Sequence, residues 1–281
     1  MTTPALDDID ARAGSTTSLL RTITGLFVRQ HGGTITAAAF ITLTHQLGID
    51  AARTRTGLAR LKSKQLLLSS PTGRGYYQLN PLAHRMLEHG DRRIFHPRSM
   101  SRTDPWCLIS YSLPENQRHT RHQLRTRLHY LGAGILAPGL WICPGHLAEE
   151  VEEITVHLGV RHATTLIRAH DPQPGIPLPT AAARWWDLDR IRSHHDLFLR
   201  EYTPHHSTLT NPDAAPPKAA LFARYVRLID TWRVIAYIDP GLPPHLLPAD
   251  WPAPRSTRLF RQLHERWHTT AHNYAASIIA P

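Results

Sequence analysis

The chain has 281 residues with 41% hydrophobic content and a formal charge of +10, enough length for about two or three domains and enough apolar material for a core, which excludes wholesale disorder. No run of about 18 apolar residues occurs, so no membrane-spanning helix is expected, and two cysteines are too few for a disulfide scaffold or a four-cysteine zinc site. Asp7, Asp8 and Asp10 stand where a basic-then-apolar leader would begin, which points away from secretion and towards the cytoplasm.

The basic character is concentrated in the first third. Residues 18–98 carry twelve basic and three acidic residues, against seven and six in 99–170 and twelve and ten in 171–281. A local basic segment on near-neutral neighbours is the footprint of a polyanion binder, most often nucleic acid. Within it, Leu19, Leu20, Ile23, Leu26 and Phe27 recur at helical spacing and predict a helix over 18–31, stopped by Gly32-Gly33. Thr36 can cap a second helix over 37–47, ending at Gly48, and Asp50 a third that reaches about Ser63. The short, glycine-containing turn between the second and third fits a helix-turn-helix.

At about 100° per residue, Ala51, Thr54, Leu58 and Leu61 fall on the inward side of the third helix, and Arg53, Thr56, Gly57, Arg60 and Lys64 fall opposite. That outer face has no acid. Arg can fork onto guanine edges and Thr can bond a base or phosphate, while Gly57 is expected to let the helix approach its partner closely. Leu66–Ser69 and Tyr76–Leu79 predict two short strands about a Pro- and Gly-rich tip that carries Arg74. Three helices and a basic-tipped hairpin read as a winged helix, and Asn80-Pro81 then opens a fourth helix.

Gly32-Gly33, Gly48, Arg55, Arg60-Leu61, Gly73-Arg74, Tyr77 and Asn80-Pro81 together resemble the winged-helix domain of PaaX-type transcriptional regulators, a family named for the repressor of phenylacetic acid catabolism. Gln65 departs from a glycine usual in that family. The DNA-binding set expected from residues and resemblance together is Arg53, Arg55, Thr56, Arg60, Lys64 and Arg74.

Residues 106–170 predict strand, helix, strand, strand, helix, strand, a ferredoxin-like order. The first helix is arginine-rich, over 114–130, with Leu124, Leu128 and Leu131 inward. Trp106, Leu113-Pro114-Glu115, Leu131-Gly132 and Leu136 to Ile142 resemble the family's middle domain, whose fold is similar to a small CRISPR-associated metal-dependent nuclease. That nuclease places an Asp at the end of its first strand; here the strand ends Ser110-Tyr111-Ser112, so nuclease activity is not expected. Cys107 and Cys143 fall on neighbouring strands and are expected as buried thiols.

Residues 171–180 read as a linker, followed by helices over 181–202 and 217–236, an ordered proline-rich connection and a last helix over 255–275. Trp186-Asp187-Leu188, Phe198, Arg233, Asp239-Pro240, Leu242-Pro243 and Leu246 to Pro252 match the family's C-terminal domain, so the resemblance spans about residues 18–275. It implies a homodimer and a small-molecule effector, often an aromatic acyl-CoA thioester. Trp185-Trp186, with Arg184, His194 and Arg233 as anchors for an acyl or phosphate group, is the candidate effector site, expected between the middle and C-terminal domains.

His264-Glu265-Arg266-Trp267-His268 fits the H-E-x-x-H pattern, in which two His bind zinc and Glu polarises water, and His272 follows. On one straight helix these three imidazoles would stand in a row about 6 Å apart rather than converge on one tetrahedral ion. The expectation is therefore no metal, no cofactor and no catalytic residue, with a zinc-dependent hydrolase through His264 and His268 as the alternative. The chain reads as a multidomain α+β protein. A winged-helix DNA-binding domain spans 15–97, a ferredoxin-like middle domain 104–171 and a helical effector and dimerisation domain 180–278. Its expected role is that of a dimeric cytoplasmic repressor on a double-stranded DNA operator, released by an effector.

Overall fold

The structure, a computed structural model, describes residues 12–70, 73, 75–206 and 216–279. It is α+β, with ten helices and two small sheets among the described residues.

Helix α1 spans Thr16–Ile23, with the Ser15 hydroxyl accepting from the Ser18 N–H at its start. The helical path continues through a widened turn over Thr24–Val28 and a tight one over Arg29–His31, ending at left-handed Gly32. Strand β1 (Thr34–Thr36), helix α2 (Ala37–His45) and helix α3 (Ala51–Ser63) follow, with Thr36 and Asp50 as the caps of the two helices. Strands β2 (Leu67–Ser69) and β3 (Tyr76–Leu79) form the hairpin, and helix α4 (His84–Phe95) closes this part. Strand β1, absent from the sequence reading, pairs with β3 to complete an antiparallel sheet of order β1-β3-β2. Helix α3 stops at Gln65, whose φ of 59° makes it the one left-handed non-glycine among the described residues. The Asn80 side-chain amide donates to the Gln65 carbonyl at 2.7 Å, and the Leu66 N–H closes back onto Leu61.

Strand β4 (Trp106–Tyr111), helix α5 (Arg118–Tyr130), strands β5 (Gly134–Ala137) and β6 (Leu140–Pro144), helix α6 (Ala148–His157) and strand β7 (Thr164–Ala169) come next. The four strands make an antiparallel sheet of order β5-β6-β4-β7. Cys107 of β4 lies directly opposite Cys143 of β6; both are buried, and neither is in a disulfide. A hydrogen bond from this neighbour is the main cause that lowers the Cys107 thiol pKa.

The remaining helices are α7 (Leu178–Trp185), α8 (Leu188–His206), α9 (Lys218–Ile238) and α10 (Ala253–Ile279). The single helix expected over 181–202 is two. The chain leaves helical geometry at Trp186 (φ −117°, ψ 143°), and α8 restarts behind Asp187, whose carboxylate accepts the Arg190 N–H at 3.0 Å. The cause is the Trp186 side chain, which is buried with its indole N–H donating to the Gly132 carbonyl at 2.8 Å. Its ring lies so near Gly134 that a Cβ there would stand 2.7 Å away.

The chain divides into two compact units. The first joins the residues through Phe95 with Leu197–Val234 and the residues from Pro254 onward; the second joins His96–Asp196 with Ile235–Ala253. In the first, Phe27 of the widened turn after α1 meets Phe222 of α9 at 5.4 Å between ring centroids, and Trp232 of α9 stacks on Phe260 of α10 at 4.5 Å. N-terminal and C-terminal segments thus share one core. In the second, Trp106 and Ile142 of the sheet pack with Met100, Ala182, Trp186 and Leu242. Its proline-rich stretch is pinned by Asp239, which bonds buried His195 at 2.9 Å and accepts the Gly241 N–H at 2.8 Å. No described helix is long and apolar enough to cross a membrane.

Candidate nucleic-acid interface

The inward side of α3 is Thr54, Gly57, Leu58 and Leu61, all buried. The Thr54 hydroxyl, which also reaches the Asp50 carbonyl, pairs with the Thr44 hydroxyl of α2 at 2.7 Å. Arg53, Arg55, Thr56 and Arg60 are exposed, as are Ala52, Ala59, Lys62 and Ser63. At about 100° per residue, the small residues Ala52, Thr56, Ala59 and Ser63 form the centre of this face, with Arg53 and Arg60 along one flank and Arg55 and Lys62 along the other. The Thr56 hydroxyl donates to the Ala52 carbonyl at 3.1 Å, leaving its lone pairs outward as acceptors. Lys64 is half-buried at the end of the helix. Arg74 lies outside the described residues.

Gly57 corrects the sequence reading. It is buried against α1, where a Cβ would meet Leu20 Cδ1 at 2.5 Å and Thr16 Cγ2 at 3.1 Å. Its lack of a side chain serves the packing of α3 on α1. The outer face is kept low by Ala52 and Ala59 instead. Lys62, absent from the sequence-derived set, donates to Ser69 of β2 at 2.7 Å and so ties the helix to the hairpin. Its spacing of seven residues from Arg55 was the available signal.

Within the second unit, Trp185 and Trp186 line an open cleft of about 150 Å³ together with Ile135, Ile191 and Ile238. Its polar wall is His129, Asp187 and Arg190. The Arg190 guanidinium lies 3.0 Å from His129 Nε2. Burial, then the Arg190 charge, lowers the His129 pKa, so the ring is held neutral and accepts from Arg190. Of the anchors expected from sequence, Arg184 is exposed on α7 and is not part of this lining. His194 is half-buried on α8, four residues beyond Arg190, and burial followed by the Arg190 charge lowers its pKa. Arg233 belongs to the first unit, where it donates to the Ser18 hydroxyl at 2.8 Å. Arg190 was the cation that sequence reasoning missed. Its place one turn after Trp186 is a usable signal only once the break at Trp186-Asp187 is known.

The imidazoles of α10 descend one face. His264 and His268 are 5.4 Å apart between ring centroids, and His268 and His272 are 5.3 Å apart. His264 Nδ1 bonds the Tyr225 hydroxyl at 3.0 Å, and His272 packs edge-on to Phe27 at 4.7 Å. Glu265 is exposed. Among the described residues, no group of three or more His, Cys, Asp or Glu is arranged to hold a metal ion.

Three family models match the chain. They are PaaX-like protein over residues 15–81, the PaaX protein central Cas2-like domain over 100–179, and the PaaX-like protein C-terminal domain over 186–277. The chain is similar to the transcriptional repressor PaaX of Escherichia coli, with 26% identity over 266 residues that cover 92% of this chain and 82% of that one. Among solved structures it is similar in fold to an uncharacterized protein from Mycobacterium tuberculosis. The TM-score is 0.58 at 23% identity, covering 93% of this chain and 99% of the other.

Proposed function

The chain belongs to the family of PaaX-like proteins, and from that premise we propose that it is a transcriptional regulator that binds double-stranded DNA through α3. The observation that carries this reading is the outer face of α3, four exposed cations flanking a strip of small residues with no acid on the helix. Such a face suits the major groove, where Arg forks onto guanine and a low centre lets the backbone come near the base edges. Arg53, Thr56 and Arg60 take the base-reading role; Arg55, Lys64 and Arg74 contact phosphates. Helices α1 to α3 with the β1-β3-β2 sheet form a winged helix-turn-helix over 15–97, and the hairpin is its wing. The sheet order β5-β6-β4-β7 supports a ferredoxin-like middle domain over 104–171, with a helical effector and dimerisation domain over 180–278.

Its relative carries the name of a repressor, and repression is the role we assign here. The protein acts in the cytoplasm as a homodimer on a two-fold operator. Release comes from a small effector held in the Trp185–Trp186 cleft, with an aromatic acyl-CoA thioester as its first candidate. Apolar walls with a few polar anchors are what such ligands require. Gel shifts with the DNA upstream of the chain's own gene, against a shuffled duplex of equal length, test the reading. Preferential retardation of the upstream duplex is expected, and equal affinity for both would overturn it.

A further inference from the structure

Helix α3 is held from behind by a helix that lies far away in sequence. Arg227, Asp230 and Arg233 of α9 are spaced three residues apart, and each engages the DNA-reading elements of its unit. The exposed Arg227 side chain donates from Nη2 to the Leu47 carbonyl at 2.8 Å. Leu47 begins the turn that leads through Gly48 and Ile49 to Asp50, the cap of α3. Asp230 is fully buried and accepts from the Gly14 N–H at 2.7 Å, the Ser18 hydroxyl at 2.5 Å and the Thr22 hydroxyl at 3.0 Å. Arg233 donates to Ser18 and lies 3.7 Å from the Asp230 carboxylate. Helix α1, anchored in this way, carries Leu20, the residue against which Gly57 of α3 is packed.

Two routes therefore converge on α3. One runs from Arg227 through the turn that precedes it, the other from Asp230 through α1 and the Leu20–Gly57 contact. A buried carboxylate is stable only with donors on its oxygens, so α1 has one favoured position against α9. The Arg227 bond fixes the chain at the other end of the reading helix. We propose that Arg227 and Asp230 are positioning residues for DNA recognition, setting the angle at which α3 presents Arg53, Thr56 and Arg60 to base edges. This inference rests on the DNA-binding reading above. Base contacts need their geometry, whereas phosphate attraction tolerates small rotations. Loss of the clamp should thus cost sequence discrimination more than overall DNA affinity.

The test uses the full chain and two duplexes, one enriched from a random-sequence library by the wild-type protein and one of scrambled sequence. Arg227 is exposed, so Arg227→Met removes the bond without opening the core. It is expected to bind the enriched duplex about tenfold more weakly, with scrambled-duplex affinity and salt slope unchanged within about twofold. Arg227→Lys, which keeps a donor, should recover most of the loss, and Ser18→Ala should reproduce it by the second route. Equal losses on both duplexes, or none on the enriched one, would overturn the clamp and leave DNA binding standing. A wild-type chain that enriches no duplex would overturn the DNA-binding reading and the clamp with it.

Discussion

Gly57 of α3 lies so close to Leu20 of α1 that a methyl group on its Cα would stand 2.5 Å from Leu20 Cδ1. Leu20 is fully buried and has little room to move aside. Glycine inside a helix ordinarily costs about 1 kcal/mol relative to alanine, so the close approach must return at least that much. The packed pair also fixes how far α3 stands off α1.

Two opposing effects decide the Gly57→Ala variant. Alanine adds about 1 kcal/mol of helix preference, and overpacking removes about 1–3 kcal/mol. A net loss of about 1 kcal/mol in urea unfolding is expected, and Leu20→Ala in the same background should show strong non-additivity. A stabilised Gly57→Ala would mean that the α1–α3 contact yields freely.

Arg60→Ala should weaken binding to the preferred duplex by about 1–3 kcal/mol and leave scrambled DNA almost unaffected, because a base-edge contact is lost. Arg74→Ala should weaken both and flatten the salt dependence by about one unit, as a phosphate contact does. Titrations on both duplexes at several salt concentrations separate the two patterns. Identical patterns for the two variants would remove the division into base readers and phosphate contacts.

In the second unit, Arg190→Ala should lower affinity for an acyl-CoA thioester by about tenfold, the scale of one charge-assisted contact of about 1.5 kcal/mol. Arg184→Ala should do little, since Arg184 is not part of the cleft lining. Tryptophan fluorescence with a panel of aromatic thioesters and the matching free acids reads both. A response carried by Arg184 and not by Arg190 would place the ligand elsewhere.

His272 gives acid sensitivity to the first unit. Burial, and then the charges of His268, His31 and His264, bring its pKa from 6.5 to about 4. Between those values the unfolded chain binds a proton that the folded chain does not, so this group's contribution to stability declines as pH falls from about 6.5 to 4. Above the window both states are neutral there, and below it both are charged. His272→Asn should show a flatter decline than wild type in denaturant unfolding between roughly pH 7.5, above that window, and roughly pH 5.5 and 4.5 within it. Parallel curves would exclude His272 as the group responsible.

Glutamine at position 65 predicts a further gain. A left-handed non-glycine residue is strained by about 1 kcal/mol, and Gly relieves it at the cost of some unfolded-state entropy. Gln65→Gly should raise stability by about 0.5 kcal/mol, read as a small rise in melting temperature. A destabilised variant would mean that the Gln65 side chain makes up for its backbone.

Helices α2 and α3 were legible because caps and apolar spacing agreed at Thr36, Asp50, Leu58 and Leu61. The elements over 106–170 were legible for the same reason, local pattern matching final structure. What could not be read depends on partners remote in sequence. Strand β1 is three residues long and exists through its pairing with β3, forty or more residues on. A helical wheel places Gly57 near Arg53, and only the arrival of Leu20 shows that it faces inward. Arg233 looked like a ligand anchor because the Ser18 hydroxyl that receives it lies 215 residues away. The break at Trp186 was written more plainly, in an Asp187 that precedes a new apolar period, but the helix-favouring run Ala181 to Ala183 before it let one helical period read straight across.

The face-to-face position of Cys107 and Cys143 gives the middle sheet a built-in clock. They are the two cysteines of the chain, and both are shut inside β4 and β6. A thiol reagent added to the native protein reaches them when those strands part, so its rate of incorporation times the opening of this sheet. Neither helices α1 to α3 nor the histidine row of α10 contains a thiol, so opening there leaves no mark. Wear in one half of the molecule can be followed without disturbance from the other.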